Sequence, residues 1–221
     1  MKLEKITKSR HYDDACATAH GLDLLGERWA LLVVRELMLG PRRFGDLRAS
    51  LPGLSANVLT QRLEGLESAG VLRRRKLPPP ASVQVYELTE WGLEAEPIVL
   101  SFGRWATRSP AHDPTLPLSA VALMLSFRAK WGDVAGRVPD VSLGYHHGDE
   151  VYTVAVKGGR LITERGAPEA PDAELAGDPA AVAGYIYAKV PLDQLPLTVT
   201  GDHEALARFA APWEMAAKAP G

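Results

Sequence analysis

The chain has 221 residues, 46% of them hydrophobic and 24% charged, enough to bury one large core or two smaller ones and too apolar for a disordered polypeptide. Its single cysteine, Cys16, excludes an intrachain disulfide and fits a reducing compartment. The net charge of −2 conceals a division: residues 1–110 carry 16 basic against 13 acidic side chains (+3) and residues 111–221 carry 9 against 14 (−5), so a surface for nucleic-acid phosphate belongs in the first half.

The opening stretch, MKLEKITKSRHYDD, is charged throughout and has no apolar core, so no secretory segment is expected. Residues 22–39, LDLLGERWALLVVRELML, are apolar on nearly every face, with Leu25, Trp29 and Leu32 at helical spacing. They predict one buried helix ended by Gly40-Pro41. Arg42 and Arg43 lead into a short helix, FGDLRASL, closed by Pro52-Gly53, and Ser55 is placed to cap a third helix running to about Ala69. On that helix Leu59, Leu63 and Leu66 form the inward stripe, which puts Asn57, Gln61, Glu64 and Ser68 on the opposite face.

Val71 to Leu77, with Arg73, Arg74, Arg75 and Lys76 consecutive, a tip at Pro78 to Ser82 and the alternating Val83 to Leu88 predict a basic β-hairpin. Two short helices followed by such a hairpin form a winged helix-turn-helix, whose second helix enters the DNA major groove while the hairpin lies along the phosphates. Asn57 and Gln61 suit an adenine edge, and the Arg73–Lys76 run suits phosphate. Arg42, Arg43, Ser55, Thr60 and Arg62 extend this DNA-facing set; Arg62 fits a phosphate contact and an internal pair with Glu67 equally well. A merely solvated charged strand is the alternative for the basic run.

From Thr89 a helix can run to Trp105, with Trp91, Ala95, Ile98, Phe102 and Trp105 in the stepping of a helix that packs on another and a kink expected at Pro97. The stripe serves either its own domain or a second copy, and the two-fold symmetry of palindromic operators favours the copy.

Pro110, Pro114 and Pro117 interrupt the chain. They divide it into a DNA-binding and dimerisation domain at 1–109, a linker at 110–118 and a second domain at 119–221. In the second domain residues 117–131 predict a buried helix. Strands follow at Val141–His146, Val151–Val156 and Leu161–Thr163, with turns at Gly148-Asp149 and Gly158-Gly159. A helix from Asp178-Pro179 to Tyr187, a strand at Leu197–Thr200 and a last helix after Gly201-Asp202 complete it. The whole reads as mainly α with α+β: a winged helix-turn-helix, then an antiparallel sheet covered by helices.

The longest uncharged apolar run, Pro114–Phe127, has 14 residues and two prolines, short of the ~20 a membrane span needs, so a soluble cytoplasmic protein without a membrane partner is expected. His146 and His147 point to opposite faces of a strand and cannot jointly chelate a metal. No nucleophile elbow, Walker loop, HExxH or paired-cysteine spacing occurs, so no enzyme, cofactor or metal site is expected. An apolar cavity in the second domain would be lined by Leu123, Met124, Phe127, Val154 and Tyr185, with Tyr152 or Tyr187 offering a hydroxyl; each serves equally well as core.

The helix around Trp29, the FGDL segment, SANVLTQRLEGLESAGVL and YELTEWG together resemble the HxlR-type branch of bacterial winged-helix regulators, related in fold to MarR-type regulators, over roughly residues 12–107. The resemblance implies a homodimer on near-palindromic double-stranded DNA, usually a repressor, with contacts carried over onto Asn57, Gln61 and Arg73–Lys76. Some members of that family sense oxidants or electrophiles through a cysteine at the place of Cys16. Here Asp13 and Asp14 are expected to oppose the thiolate and His20 to favour it, while a lone cysteine also fits a small buried hydrophobe. The closing segment, from DAELAGDPAAVAGYIY to LTVTGDHEALARF, resembles the C-terminal part of a sterol-carrier-protein-like domain, which implies an apolar tunnel for a greasy ligand. The expected protein is a dimeric DNA-binding regulator with a small apolar effector. A hydrophobic-ligand carrier with a dimerising N-terminal half and a thiol sensor acting through Cys16 are the alternatives.

Overall fold

The computed structural model describes residues 11–220; the ten before them, most of the charged stretch that argued against a secretory segment, lie outside the described residues. The chain forms two compact units, residues 11–37 with 41–93, and residues 38–40 with 94–220.

The first unit contains α1 (Ala17–Leu25), α2 (Ala30–Leu37), α3 (Phe44–Ser50), α4 (Ala56–Ser68), β1 (Leu72–Lys76), β2 (Gln84–Leu88) and α5 (Glu90–Leu93). The single helix expected over 22–39 is thus two. Gly26 ends α1, its N–H bonding Leu22 O at 2.8 Å, and Trp29 takes φ 79° before α2 begins. A left-handed residue cannot continue a right-handed helix, and glycine is a weak helix former. The break also shifts the buried stripe: Leu32 is exposed, while Ala30, Val33, Val34 and Leu37 are buried. They anchor α2 against α3, α4 and β2.

The hairpin is antiparallel, with Leu72 opposite Leu88 and Lys76 opposite Gln84. Its far end is tied down by the LTEWG segment. The Thr89 hydroxyl donates to Gly70 O at 2.8 Å and accepts from Gly92 N–H at 3.0 Å, while Thr89 N–H donates to Val71 O at 3.0 Å. Gly92 lies so close to the start of the wing that a Cβ there would stand 2.0 Å from Val71 O.

The second unit holds α6 (Glu96–Ala106), α7 (Ala120–Val134), β3 (Val141–His147), β4 (Glu150–Lys157), β5 (Arg160–Arg165), β6 (Ala173–Gly177), α8 (Pro179–Ala188), β7 (Leu197–Gly201) and α9 (His203–Ala210). The helix expected from Thr89 to Trp105 is therefore interrupted rather than kinked. Pro97 sits in the first turn of α6, where its missing N–H costs nothing, and the chain starts a new helix there. By its contacts α6 groups with the second unit, so the units divide at Leu93 and Glu94, before the proline-rich stretch.

The five strands are ordered β5-β4-β3-β6-β7, antiparallel except for β3 with β6. The three consecutive strands fall where expected, with positive-φ glycines at 148, 158 and 159 in the turns. Strand β6 was not foreseen: AELAG has little β propensity, and its partners β3 and β7 are supplied by the rest of the sheet. Ser119, Asp178 and Asp202 cap α7, α8 and α9 with side-chain oxygens. Beyond α9, Trp213 is fully buried against Phe127 and Phe209, with ring centroids 5.1 and 5.5 Å away. The architecture is that of the expected fold class, a helical helix-turn-helix region followed by a sheet with helices packed on it.

Candidate nucleic-acid interface

The centre of the site is α4. Ser55 precedes it in extended conformation and its Oγ accepts from Val58 N–H at 3.3 Å, satisfying one of the orphan amides of the first turn. Leu59, Leu63 and Leu66 are buried, and Asn57, Thr60, Gln61, Glu64 and Ser68 are exposed. Burial of one leucine stripe thus presents an amide-bearing face outward, with both carboxamides in the first two turns. The Thr60 hydroxyl donates back to Ala56 O at 3.0 Å, and its side chain stays on the exposed surface.

The basic set does not behave as one group. Arg43 is exposed at the start of α3, where its N–H donates to Asp46 Oδ2 at 3.2 Å. Arg42 is 4% exposed, which removes it from the expected phosphate-contacting set. Its backbone pairs with Tyr86 in both directions (2.9 and 2.8 Å), extending the wing by a short third segment, and its Nη2 donates to Ser50 Oγ at 3.1 Å. Pairing its backbone to β2 turns the side chain inward. Arg62 pairs with Glu27 at 3.2 Å; Glu67, the internal partner considered for it, binds Arg74 instead.

On the wing, Arg73, Arg74, Arg75 and Lys76 are all exposed, but three of them are held by carboxylates. Arg73 Nε and Arg75 Nη2 each lie 2.8 Å from Glu87, and Arg74 Nη2 lies 2.6 Å from Glu67. The Arg75 guanidinium, by hydrogen bonding, and then that of Arg73 hold the Glu87 carboxyl below the usual carboxylate range; Arg74 does the same for Glu67. Sequence reasoning missed Glu87 and considered Glu67 for Arg62 rather than for the wing. The antiparallel register that places Glu87 opposite Arg73 was the available signal.

Cys16 stands at the residue before α1, where its side chain makes no capping hydrogen bond, and is exposed. Its thiol is lowered below the ordinary value, first by the Thr18 backbone N–H, then by the Thr18 side chain and the Ala19 N–H. The expectation that Asp13 and Asp14 set its chemistry is corrected by these local donors at the helix start. Trp91 on α5, and Ile98, Phe102 and Trp105 on α6, are exposed, Trp105 at 72%. Ala95 departs from this stripe: it is buried in the turn before α6.

In the second unit Leu123, Met124, Phe127, Tyr152 and Val154 are buried and Tyr185 and Tyr187 half-buried. Tyr187 OH meets Ser126 Oγ at 2.8 Å, and Tyr152 OH donates to Glu150 Oε2 at 2.9 Å. In this state both hydroxyls offered for a ligand are engaged within the unit. His146 meets Glu174 at 3.2 Å, whereas His147 meets Gly177 O at 3.3 Å, so the two imidazoles have separate partners. Among the described residues no helix is long and apolar enough to cross a membrane.

The model of the HxlR-like helix-turn-helix family matches residues 24–113. YvaP of Bacillus subtilis, an uncharacterized HTH-type transcriptional regulator, is 40% identical over 86 residues, 39% of this chain and 80% of the relative. The uncharacterized HTH-type transcriptional regulator sll1512 of Synechocystis is 41% identical over 86 residues, 39% of this chain and 64% of its own length. Among solved structures, the reduced form of the transcriptional regulator YodB from B. subtilis is similar at 30% identity and a TM-score of 0.40, covering 45% of this chain and all of that one.

Proposed function

This chain belongs to the HxlR-like helix-turn-helix family, and we propose that it is a transcriptional regulator that binds a near-palindromic operator as a homodimer and represses by occupying it. The observation that carries the reading is the outward amide face of a capped α4 beside a basic hairpin. Asn57 and Gln61 read base edges, with Ser55 and Thr60 beside them; Arg43 and Arg73–Lys76 position the protein on phosphate. Exposed Trp91 in the first unit and, separately, exposed Ile98, Phe102 and Trp105 on α6 in the second offer apolar side chains for a second copy. Within the second unit, which begins before the proline-rich stretch, the chain from residue 119 onward serves as an effector domain, resembling a sterol carrier and taking a small apolar molecule. Its effector acts by preferring one arrangement of the two winged helices.

Fluorescence anisotropy with DNA from upstream of the protein's own gene tests the base-reading role. Asn57→Ala and Gln61→Ala each weaken operator binding by about 1–3 kcal/mol and leave random-sequence binding nearly unchanged. Equal losses on both DNAs would refute it.

The exposed, thiolate-favouring position of Cys16 supports a second reading, in which oxidants or electrophiles modulate DNA binding through this thiol. With a single cysteine in the chain, any resulting disulfide joins two subunits or a small thiol. Cys16→Ser abolishes the oxidant response in the same assay; a response that survives it removes Cys16 from the mechanism.

A further inference from the structure

The wing carries four consecutive cations, yet the fold brings two carboxylates onto them from different elements. Glu87, on β2 directly across from Arg73, accepts from Arg73 Nε at 2.8 Å and from Arg75 through Nε and Nη2 at 3.0 and 2.8 Å. Glu67, in the last turn of α4, accepts from the Arg74 backbone N–H at 3.3 Å and from its Nε at 3.0 Å, with Nη2 at 2.6 Å. Glu87 is 9% exposed, so its charge is covered by the two guanidinium groups it holds. Arg73, Arg75 and Glu87 share one face of the two-stranded wing, whereas Arg74, held by Glu67, alternates to the other, so carboxylates restrain cations on both faces of the hairpin.

Resting on the DNA-binding reading above, we propose that Glu67 and Glu87 are specificity-determining residues, which restrain the wing arginines and thereby suppress binding to DNA of arbitrary sequence. Non-specific affinity comes from phosphate neutralisation alone and scales with the cations free to make it. Two carboxylates cut the net charge of the four-cation wing from +4 to +2. On a random duplex the phosphates must compete with Glu67 and Glu87 for Arg73, Arg74 and Arg75, so few counterions are released. On the operator, contacts from Asn57 and Gln61 hold the duplex in register long enough for the exchange to be favourable. The carboxylates therefore weaken both binding modes and weaken the non-specific one more. The arrangement also separates the roles of the wing residues: Lys76, with no carboxylate partner among the described ion pairs, contributes first, and the arginines contribute only after exchange.

The test uses the full chain and a random-sequence duplex, with affinity measured across a salt series for wild type, E67Q, E87Q and E67Q/E87Q. Glutamine keeps the side-chain shape and removes the charge. The double variant binds the random duplex about tenfold more tightly at 50 mM salt, with a log-log salt slope steeper by about 1 to 2, roughly 0.9 for each carboxylate removed. E67Q alone, whose side chain lies nearer the surface, gives about half of that change and guards against a folding defect in the Glu87 variants. Unchanged or weaker random-duplex binding in both E67Q and the double variant, with wild type still binding, overturns the restraint and leaves the DNA-binding reading standing. Absence of DNA binding by every protein in the series overturns both.

Discussion

Substituting Gly92 by alanine tests whether the wing is held to the rest of the first unit by the close approach described above. The added Cβ would stand 2.0 Å from Val71 O, 3.1 Å from Val71 C and 3.3 Å from Leu88 Cβ, whereas a carbon meets a carbonyl oxygen at no less than about 3.3 Å. The obstacle is backbone, so no rotamer change relieves it; α5 must move away from the turn by more than about an ångström. Overpacking of this kind costs about 1–3 kcal/mol, and moving α5 also strains the Thr89 bonds to Gly70 O and Val71 O, worth about 1 kcal/mol more. A total of about 2–4 kcal/mol lowers the thermal midpoint of a unit of this size by roughly 10–25 °C. The control is Gly65→Ala on α4, where an added Cβ meets nothing within 4 Å and better helix propensity contributes about 0.5–1 kcal/mol, raising the midpoint by a few degrees. Differential scanning calorimetry or circular dichroism reads both. A Gly92→Ala midpoint within about 2 °C of wild type, or a shift of the same sign in both variants, refutes the packing argument.

Two further outcomes follow from the same structure. On the proposed homodimer, wild type sediments as a dimer, and Phe102→Asp with Trp105→Asp, at exposed positions whose rings contact one another with centroids 6.0 Å apart, sediments as a monomer in sedimentation velocity. The far-ultraviolet dichroism is unchanged, and a persisting dimer would show that the interface lies elsewhere. Acid titration reads the wing carboxylates. Glu67 and Glu87 titrate below their ordinary value in the folded chain, so the stability they contribute is complete above the ordinary glutamate range and is lost as pH falls through the lowered values. The thermal midpoint of wild type drops through that acidic window and that of E67Q/E87Q drops less; parallel curves would show that the pairs contribute nothing to folding.

The α4 surface was legible because its two faces follow from residues three and four apart, and local periodicity is what an amino-acid sequence states directly. The same holds for the hairpin β1–β2 and for the consecutive strands β3, β4 and β5, whose turns are marked by glycines that take positive φ. Reading fails where a partner comes from far along the chain. Strand β6 becomes a strand by lying between β3 and β7, and Arg42 is drawn inward by pairing with Tyr86, 44 positions away. Charge shows the limit most clearly. The run Arg73–Lys76 contributes four positive charges to a tally, but DNA meets the charges left after the fold has paired them, and Glu67 and Glu87 reach that run from α4 and β2. The Cys16 thiol makes the converse case: neighbouring aspartates in the sequence pointed one way, while backbone N–H groups at the start of α1, which no count of side-chain charge includes, lower its pKa. In both places the electrostatic state is set by geometry that the fold creates, so substitutions at Glu67, Glu87 and Thr18 should alter DNA binding or thiol reactivity although none of the three is a proposed DNA contact or the thiol itself.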